Sequence, residues 1–191
     1  MKQNNKRMRF KMRPISVIIP TALALSCFNS YAVEQESSNY DFLVGARISQ
    51  LSSDLGNSSD EDMSYGAEFI FSKGFEYRPK LSGGVHLAID VGKVTHKGYT
   101  NDFDVETWSL SPFISYQVIE RLELLAKVGV SNWSYKTNTT ELNGYDPVYG
   151  IGLRYNFNRI YAGLEWQYVE MNDKAIDLDS ELTTLSFGVR F

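Results

Sequence analysis

The sequence predicts an all-β chain, an eight-stranded antiparallel up-and-down transmembrane β-barrel, and three observations predict it. The closing segment alternates: Thr183, Leu185, Phe187, Val189 and Phe191 share one side, and Leu182, Thr184, Ser186, Gly188 and Arg190 the other, because successive strand residues face opposite ways. Seven earlier segments repeat that alternation at the length a tilted membrane strand needs. Ten of the fourteen glycines, among them Gly45, Gly66, Gly129 and Gly163, fall on the row opposite the apolar one.

The strands are expected at Tyr40 to Gln50, Ser64 to Glu76, Leu81 to Thr95 and Val105 to Gln117, then Arg121 to Tyr135, Val148 to Phe157, Ile160 to Met171 and Glu181 to Phe191. The first offers Phe42, Val44, Ala46 and Ile48 on one face, and the second Tyr65, Ala67, Phe69 and Phe71. Leu87 and Ile89, then Trp108 and Leu110, then Val128 and Val130 continue the pattern, and Ile151, Leu153, Leu164 and Trp166 complete it before the closing strand. Connections alternate in length. Ser52 to Met63, His96 to Asp104, Lys136 to Pro147 and Asn172 to Ser180 are long and polar, whereas those near Tyr77 to Lys80, Val118 to Glu120 and Asn158-Arg159 are short. Long loops on one rim and tight turns on the other suit an up-and-down barrel. A narrow concave lumen favours small side chains, so the glycine- and serine-rich row faces inward and the apolar row faces lipid. Pro112 lies mid-strand, where a bulge would accommodate it, and Trp133 and Tyr135 fall on the polar row, as a strand projecting beyond the bilayer would allow.

Residues 1–32 carry the three parts of a secretory signal: a basic head from Lys2 to Arg13, an apolar run from Ile15 to Phe28, and the small-x-small site Ser30-Tyr31-Ala32. Cleavage after Ala32 is expected, with lipoprotein processing at Cys27 as the competitor. The barrel domain then spans 33–191, 159 of the 191 residues, keeping 13 of the 19 Lys and Arg against all 23 Asp and Glu, a formal charge of −10. That balance argues against nucleic acid as a partner. The only cysteine leaves with the signal, so a hydrogen-bonded barrel rather than disulfides must hold the exported domain together.

The inward row also carries opposite charges: Arg47, Lys127, Arg154 and Arg190 with Glu68, Glu76, Asp90, Glu123 and Glu165, and His86 among them. An eight-stranded barrel is nearly filled by its own side chains, so these groups are expected to pair and plug the lumen. A contact of Arg154 shared between Glu123 and Glu165 is expected there. A structural polar core is the simpler reading; an ion-pair gate that rearranges into a narrow channel is the functional alternative.

The strand ending on a terminal Phe resembles the closing strand of bacterial outer-membrane barrels. In strand number and size the mature chain is similar to OmpA-like transmembrane barrels and to the OmpX and Ail group. The likeness is architectural, and the peptidoglycan-binding domain of full-length OmpA is not expected. It implies assembly machinery that reads Phe187, Val189 and Phe191, residence in outer-membrane lipid and lipopolysaccharide, a monomer, and structural or adhesive work on a host or surface ligand through four extracellular loops.

Small outer-membrane barrels also include lipid A acylases and deacylases. Here Asp90 and Ser82 each stand four residues from His86, roughly 13 Å by strand rise, too far for direct contact. His96 lacks a Ser two residues on, where Gly98 stands, and no amphipathic helix precedes the barrel. No enzyme is expected, and no cofactor or metal. The acidic runs Asp60-Glu61-Asp62, Asp102-Phe103-Asp104 and Asp177-Leu178-Asp179 lack calcium-loop spacing and read as a solvated rim, with divalent bridging to lipopolysaccharide phosphates as the alternative.

Overall fold

The computed structural model describes residues 40–55, 58–94, 103–136, 141–173 and 176–191. The signal segment with Cys27, and His96 with Gly98, lie outside the described residues. The strands are β1 (Tyr40–Leu55), β2 (Ser58–Phe75), β3 (Arg78–Val94), β4 (Phe103–Ile119), β5 (Leu122–Lys136), β6 (Glu141–Phe157), β7 (Ile160–Asp173) and β8 (Ile176–Arg190). Each pairs antiparallel with its sequence neighbours, and β1 pairs with β8 to close the barrel. Closure leaves no edge in lipid, where every backbone polar group must be satisfied.

Every apolar row expected to face lipid does point outward. Phe71, Leu110, Val128, Ile151, Leu164 and Phe187 are exposed there, while their neighbours Ser72, Ser109, Lys127, Gly150, Glu165 and Ser186 turn inward and are buried. Three two-residue turns, Glu76-Tyr77, Glu120-Arg121 and Asn158-Arg159, join the strands at the rim that also holds the chain's closing residue. Asn158 adopts a left-handed φ of 56°, a conformation Asn tolerates better than most residues. Short turns mark the periplasmic rim of barrels of this kind.

Two expectations need correction. Pro112 occupies no bulge: the β4–β5 register is the same on either side of it, from Leu110↔Val130 to Phe113↔Lys127, and its ring points outward. The ladder tolerates a missing N–H without an inserted residue, and the register shifts fall instead beside turns, at Gly74/Phe75 and Gln117/Ile119. The long polar connections are also largely strand. β1 continues past Gln50 to Leu55, β6 begins at Glu141 rather than Val148, and β8 begins at Ile176 rather than Glu181. Strands of 14 to 18 residues exceed the roughly 9 to 11 that cross a bilayer. The surplus projects from the outer rim.

In the projecting part the polarity of the wall reverses. Outward residues become polar, as at Gln50, Lys93, Asp104, Glu106, Lys136 and Glu141, while inward residues become apolar. Among the described residues nine buried side chains form that inner cluster, in which the rings of Trp133 and Phe103 each pack on Tyr135, with Leu51, Val148 and Leu182 among the rest. Trp133 and Tyr135 do lie on a projecting strand, but they fill its interior. The closure also loosens at this level. β2–β3 pairing ends at Ser64↔Gly92 and β6–β7 pairing at Val148↔Val169, while the other six ladders continue outward. The barrel thereby passes into two facing sheets, β3 to β6 and β7-β8-β1-β2. Water replaces lipid outside, so the apolar rows move inside, as in a two-sheet sandwich.

Candidate functional site in the barrel lumen

Strand parity places one inward residue every second position, and the register brings six charged or titratable side chains from five strands to a common level. Arg47 on β1 stands at the centre, with a side chain 0% exposed. Its Nε lies 3.3 Å from Asp90 Oδ1, and its terminal nitrogens lie 3.8 Å from Glu68 Oε2 and from Glu165 Oε1. Arg47 Nη2 also donates to Thr184 Oγ1 at 3.3 Å, and that hydroxyl shares a 2.7 Å hydrogen bond with Ser49. Lys127 Nζ on β5 binds Glu165 Oε1 at 2.7 Å and His86 Nδ1 at 2.9 Å. An ammonium can only donate, so Nδ1 accepts, and the imidazole proton sits on Nε2, which donates to Glu68 Oε2 at 3.1 Å. The other Glu68 oxygen accepts from Tyr161 Oη at 2.7 Å, and Glu165 accepts from Gln167 as well.

Glycines make this packing possible. A Cβ at Gly45 or Gly188 would overlap the Tyr161 ring or hydroxyl, and one at Gly150 would lie 2.8 Å from Lys127 Cε. Burying three carboxylates and two cations is costly unless they are paired. All five are ion-paired, and Arg47, Glu68, Lys127 and Glu165 are also hydrogen-bonded, whereas Asp90 Oδ1 and Arg47 Nε face each other at 3.3 Å with no hydrogen bond. A cavity of about 20 Å³, lined by Glu68, His86, Lys127, Arg154, Tyr161 and Glu165, has room for about one water.

The structure thus gathers Arg47, Glu68, His86, Asp90, Lys127 and Glu165, and it separates the other four expected members. Among the described residues Arg154 ion-pairs only with Glu123, at 2.8 Å, with Asn156 Nδ2 donating to the other Glu123 oxygen at 2.8 Å and the guanidinium 5.7 Å from the Phe113 ring centroid. The expected Arg154 contact with Glu165 does not form, because Lys127 holds that carboxylate. Arg190 pairs with Asp41 at 2.6 Å, part-exposed. Glu76 is outside the lumen: it stands in the β2–β3 turn, exposed, because β2 ends at Phe75. Sequence reasoning missed Tyr161, Gln167, Thr184 and Ser49. All four sit on inward parity, the signal that would have found them, but uncharged polar side chains do not stand out in a search for charges.

Phe187 on β8 and Phe191, one residue past its end, are both exposed. Phe191 N donates to Phe42 O at 2.8 Å, and the two rings lie 6.1 Å apart. In the Asp60-Glu61-Asp62 run, Glu61 accepts from Gln50 Nε2 at 2.6 Å and Asp62 from the Met63 amide at 2.8 Å. Among the described residues no cluster of three His, Cys, Asp or Glu could hold a metal ion.

A closed antiparallel barrel, apolar outside and charged within, defines a transmembrane protein of the bacterial outer membrane. The chain belongs to the outer membrane protein β-barrel domain family, whose model matches residues 21–191. It has the fold of Neisserial surface protein A, with a TM-score of 0.60 at 13% identity over 78% of this chain and 97% of that one. Ail, the attachment invasion locus protein of Yersinia pestis, gives a TM-score of 0.56 at 15% identity over 79% and 98%. No curated protein sequence matches the chain significantly.

Proposed function

We propose that the protein works at the cell surface as a structural or surface-interaction barrel, meeting its ligand with the projecting ends of its strands. The observation that supports this reading best is the projection itself. A barrel needed only to sit in lipid would stop near Ile48, Val91 and Val130; these strands continue as two sheets packed around an apolar core. Packing of that kind holds a polar outer face rigid, which lowers the ordering cost of binding. On that face Tyr145 is 81% exposed, beside Asn132 of the neighbouring strand. Ail, solved also with the heparin analogue sucrose octasulfate, supports the attachment reading by analogy of fold alone.

The partners that fit are outer-membrane lipid and lipopolysaccharide around the barrel, the assembly machinery at β8, and a host or surface ligand at the outer rim, met by a monomer. Catalysis is not part of the reading. Both nitrogens of His86 are engaged, by Lys127 and Glu68, while Ser82 bonds Ser115. The test is attachment of expressing cells to host cells and matrix. Tyr145→Ala and Lys93→Glu should reduce it while leaving the folded barrel at normal level. Attachment equal to that of cells lacking the protein would overturn the reading.

A further inference from the structure

We propose that water and ions are kept out of this barrel by the apolar layer between its two projecting sheets, and that the ion-pair cluster below is not the seal. The two layers are distinct in chemistry and in height. The lower one is polar: its groups can rehydrate when a partner is lost, and a water-sized cavity already adjoins Lys127 and Glu165. The upper one is built of apolar and aromatic side chains, and polar groups among them are engaged with one another, Trp133 Nε1 donating to Asp146 Oδ2 at 2.6 Å and Tyr135 Oη sharing a hydrogen bond with Ser180 Oγ. Trp133 is 1% exposed and Val94 and Val148 0%, and among the described residues seven of the eight strands contribute to the cluster. An apolar constriction of this kind excludes ions by staying dry.

What holds the layer shut also differs. Above Ser64↔Gly92 and Val148↔Val169 no backbone ladder joins one sheet to the other among the described residues. The sheets are kept together there by side-chain packing and by bridges such as Tyr135 Oη···Ser180 Oγ, 3.3 Å, which runs from β5 across the interior to β8. Shrinking the aromatic centre should therefore open the barrel, whereas neutralising one ion pair should not.

The experiment reads current and water access in the full chain with Cys27→Ser. Ser111 is 0% exposed, opposite His86 in the β3–β4 register, so Ser111→Cys places a reporter thiol beneath the apolar layer. A membrane-impermeant maleimide is added from the extracellular side of intact cells, and the same variants are examined in planar bilayers, each first shown to be folded by heat-modifiable mobility. The reporter should be protected in the parent and in Lys127→Gln. Protection should be lost, with resolved current steps appearing, in the Trp133→Ala/Tyr135→Ala pair. Should that pair not fold, Val105→Ser with Leu182→Ser carries the same expectation. Labelling or current in Lys127→Gln matching that of the aromatic pair would overturn the proposal, as would a folded apolar-layer variant that stays silent and protected.

Discussion

Tyr161 and Glu68 stand three strands apart around the wall, yet the tyrosine Oη donates to the glutamate Oε1 at 2.7 Å. The side chain leaves β7, crosses Gly188 on β8 and Gly45 on β1, and ends on β2. It therefore spans the β1–β8 pairing that closes the barrel, and it fixes one oxygen of a carboxylate whose other oxygen holds His86.

The first prediction follows from that bond. Tyr161→Phe removes a hydrogen bond to a buried charged group, which costs about 1.5 to 3 kcal/mol. Urea unfolding followed by heat-modifiable mobility should show a lower midpoint for Tyr161→Phe. Gly45→Val should be worse, since its side chain needs the volume of the ring itself. An unchanged midpoint in Tyr161→Phe would show that the seam does not depend on the bond.

A second prediction ranks the lumen arginines. Arg47 is fully enclosed among three carboxylates, so Arg47→Ala should cost roughly 3 to 5 kcal/mol by stranding buried charge. Arg154 has one ion-pair partner among the described residues, Glu123, whose side chain is 21% exposed and can rehydrate. Arg154→Ala should cost less and leave the bilayer conductance at the parent level. The comparison is made by urea midpoints on the same gels; an Arg154 loss larger than the Arg47 loss would contradict the ranking.

Height along the wall gives the third. Val128 faces lipid on β5, and Val128→Arg should cost about 2 to 4 kcal/mol and impair insertion. Tyr145 faces outward too, but above the apolar band, so Tyr145→Arg should assemble normally. Fractionation of the outer membrane measures both, and equal damage at the two sites would place the membrane boundary elsewhere.

The fourth concerns the closing strand. Deleting Phe191 removes the amide that bonds Phe42 O and the ring beside Phe42. The expected outcome is unassembled protein in the periplasm, read by protease sensitivity and loss of the heat-modifiable form. Normal folded yield would exclude a role for the terminal aromatic in assembly.

Alternation such as that of Leu87, Ile89 and Val91 against His86, Ala88 and Asp90, repeated in eight segments with long and short connections between them, was enough to assign eight strands, their facing and their up-and-down order. Period-two patterning is a local property, and a lipid solvent on one side keeps it clean over the membrane-spanning part. Membership of Arg47, Glu68, His86, Asp90, Lys127 and Glu165 in one inward set was legible for the same reason. Which carboxylate each cation takes was not. Glu165 goes to Lys127 and not to Arg154 because of strand stagger and side-chain reach, which exist only once β5, β6 and β7 are side by side. Glu76 was lost to a two-residue turn for a similar reason: a strand end is set by pairing, and pairing is not local.

Of the outer half, the sequence disclosed only the projecting strand that carries Trp133 and Tyr135, and not the apolar interior they fill. Phe103, Trp133, Leu142 and Leu182 lie in or beside segments that are polar overall, and they face the side the membrane rule assigns to small and charged groups. Sequence alone determined that this chain must be a barrel with a greasy exterior, because lipid imposes one pattern on every strand that crosses it. Tertiary structure decided where that rule stops. Beyond the bilayer the solvent changes, two ladders part, and the same strands bury their apolar side chains between two sheets, an arrangement that depends on how far each strand projects and on what stands opposite it.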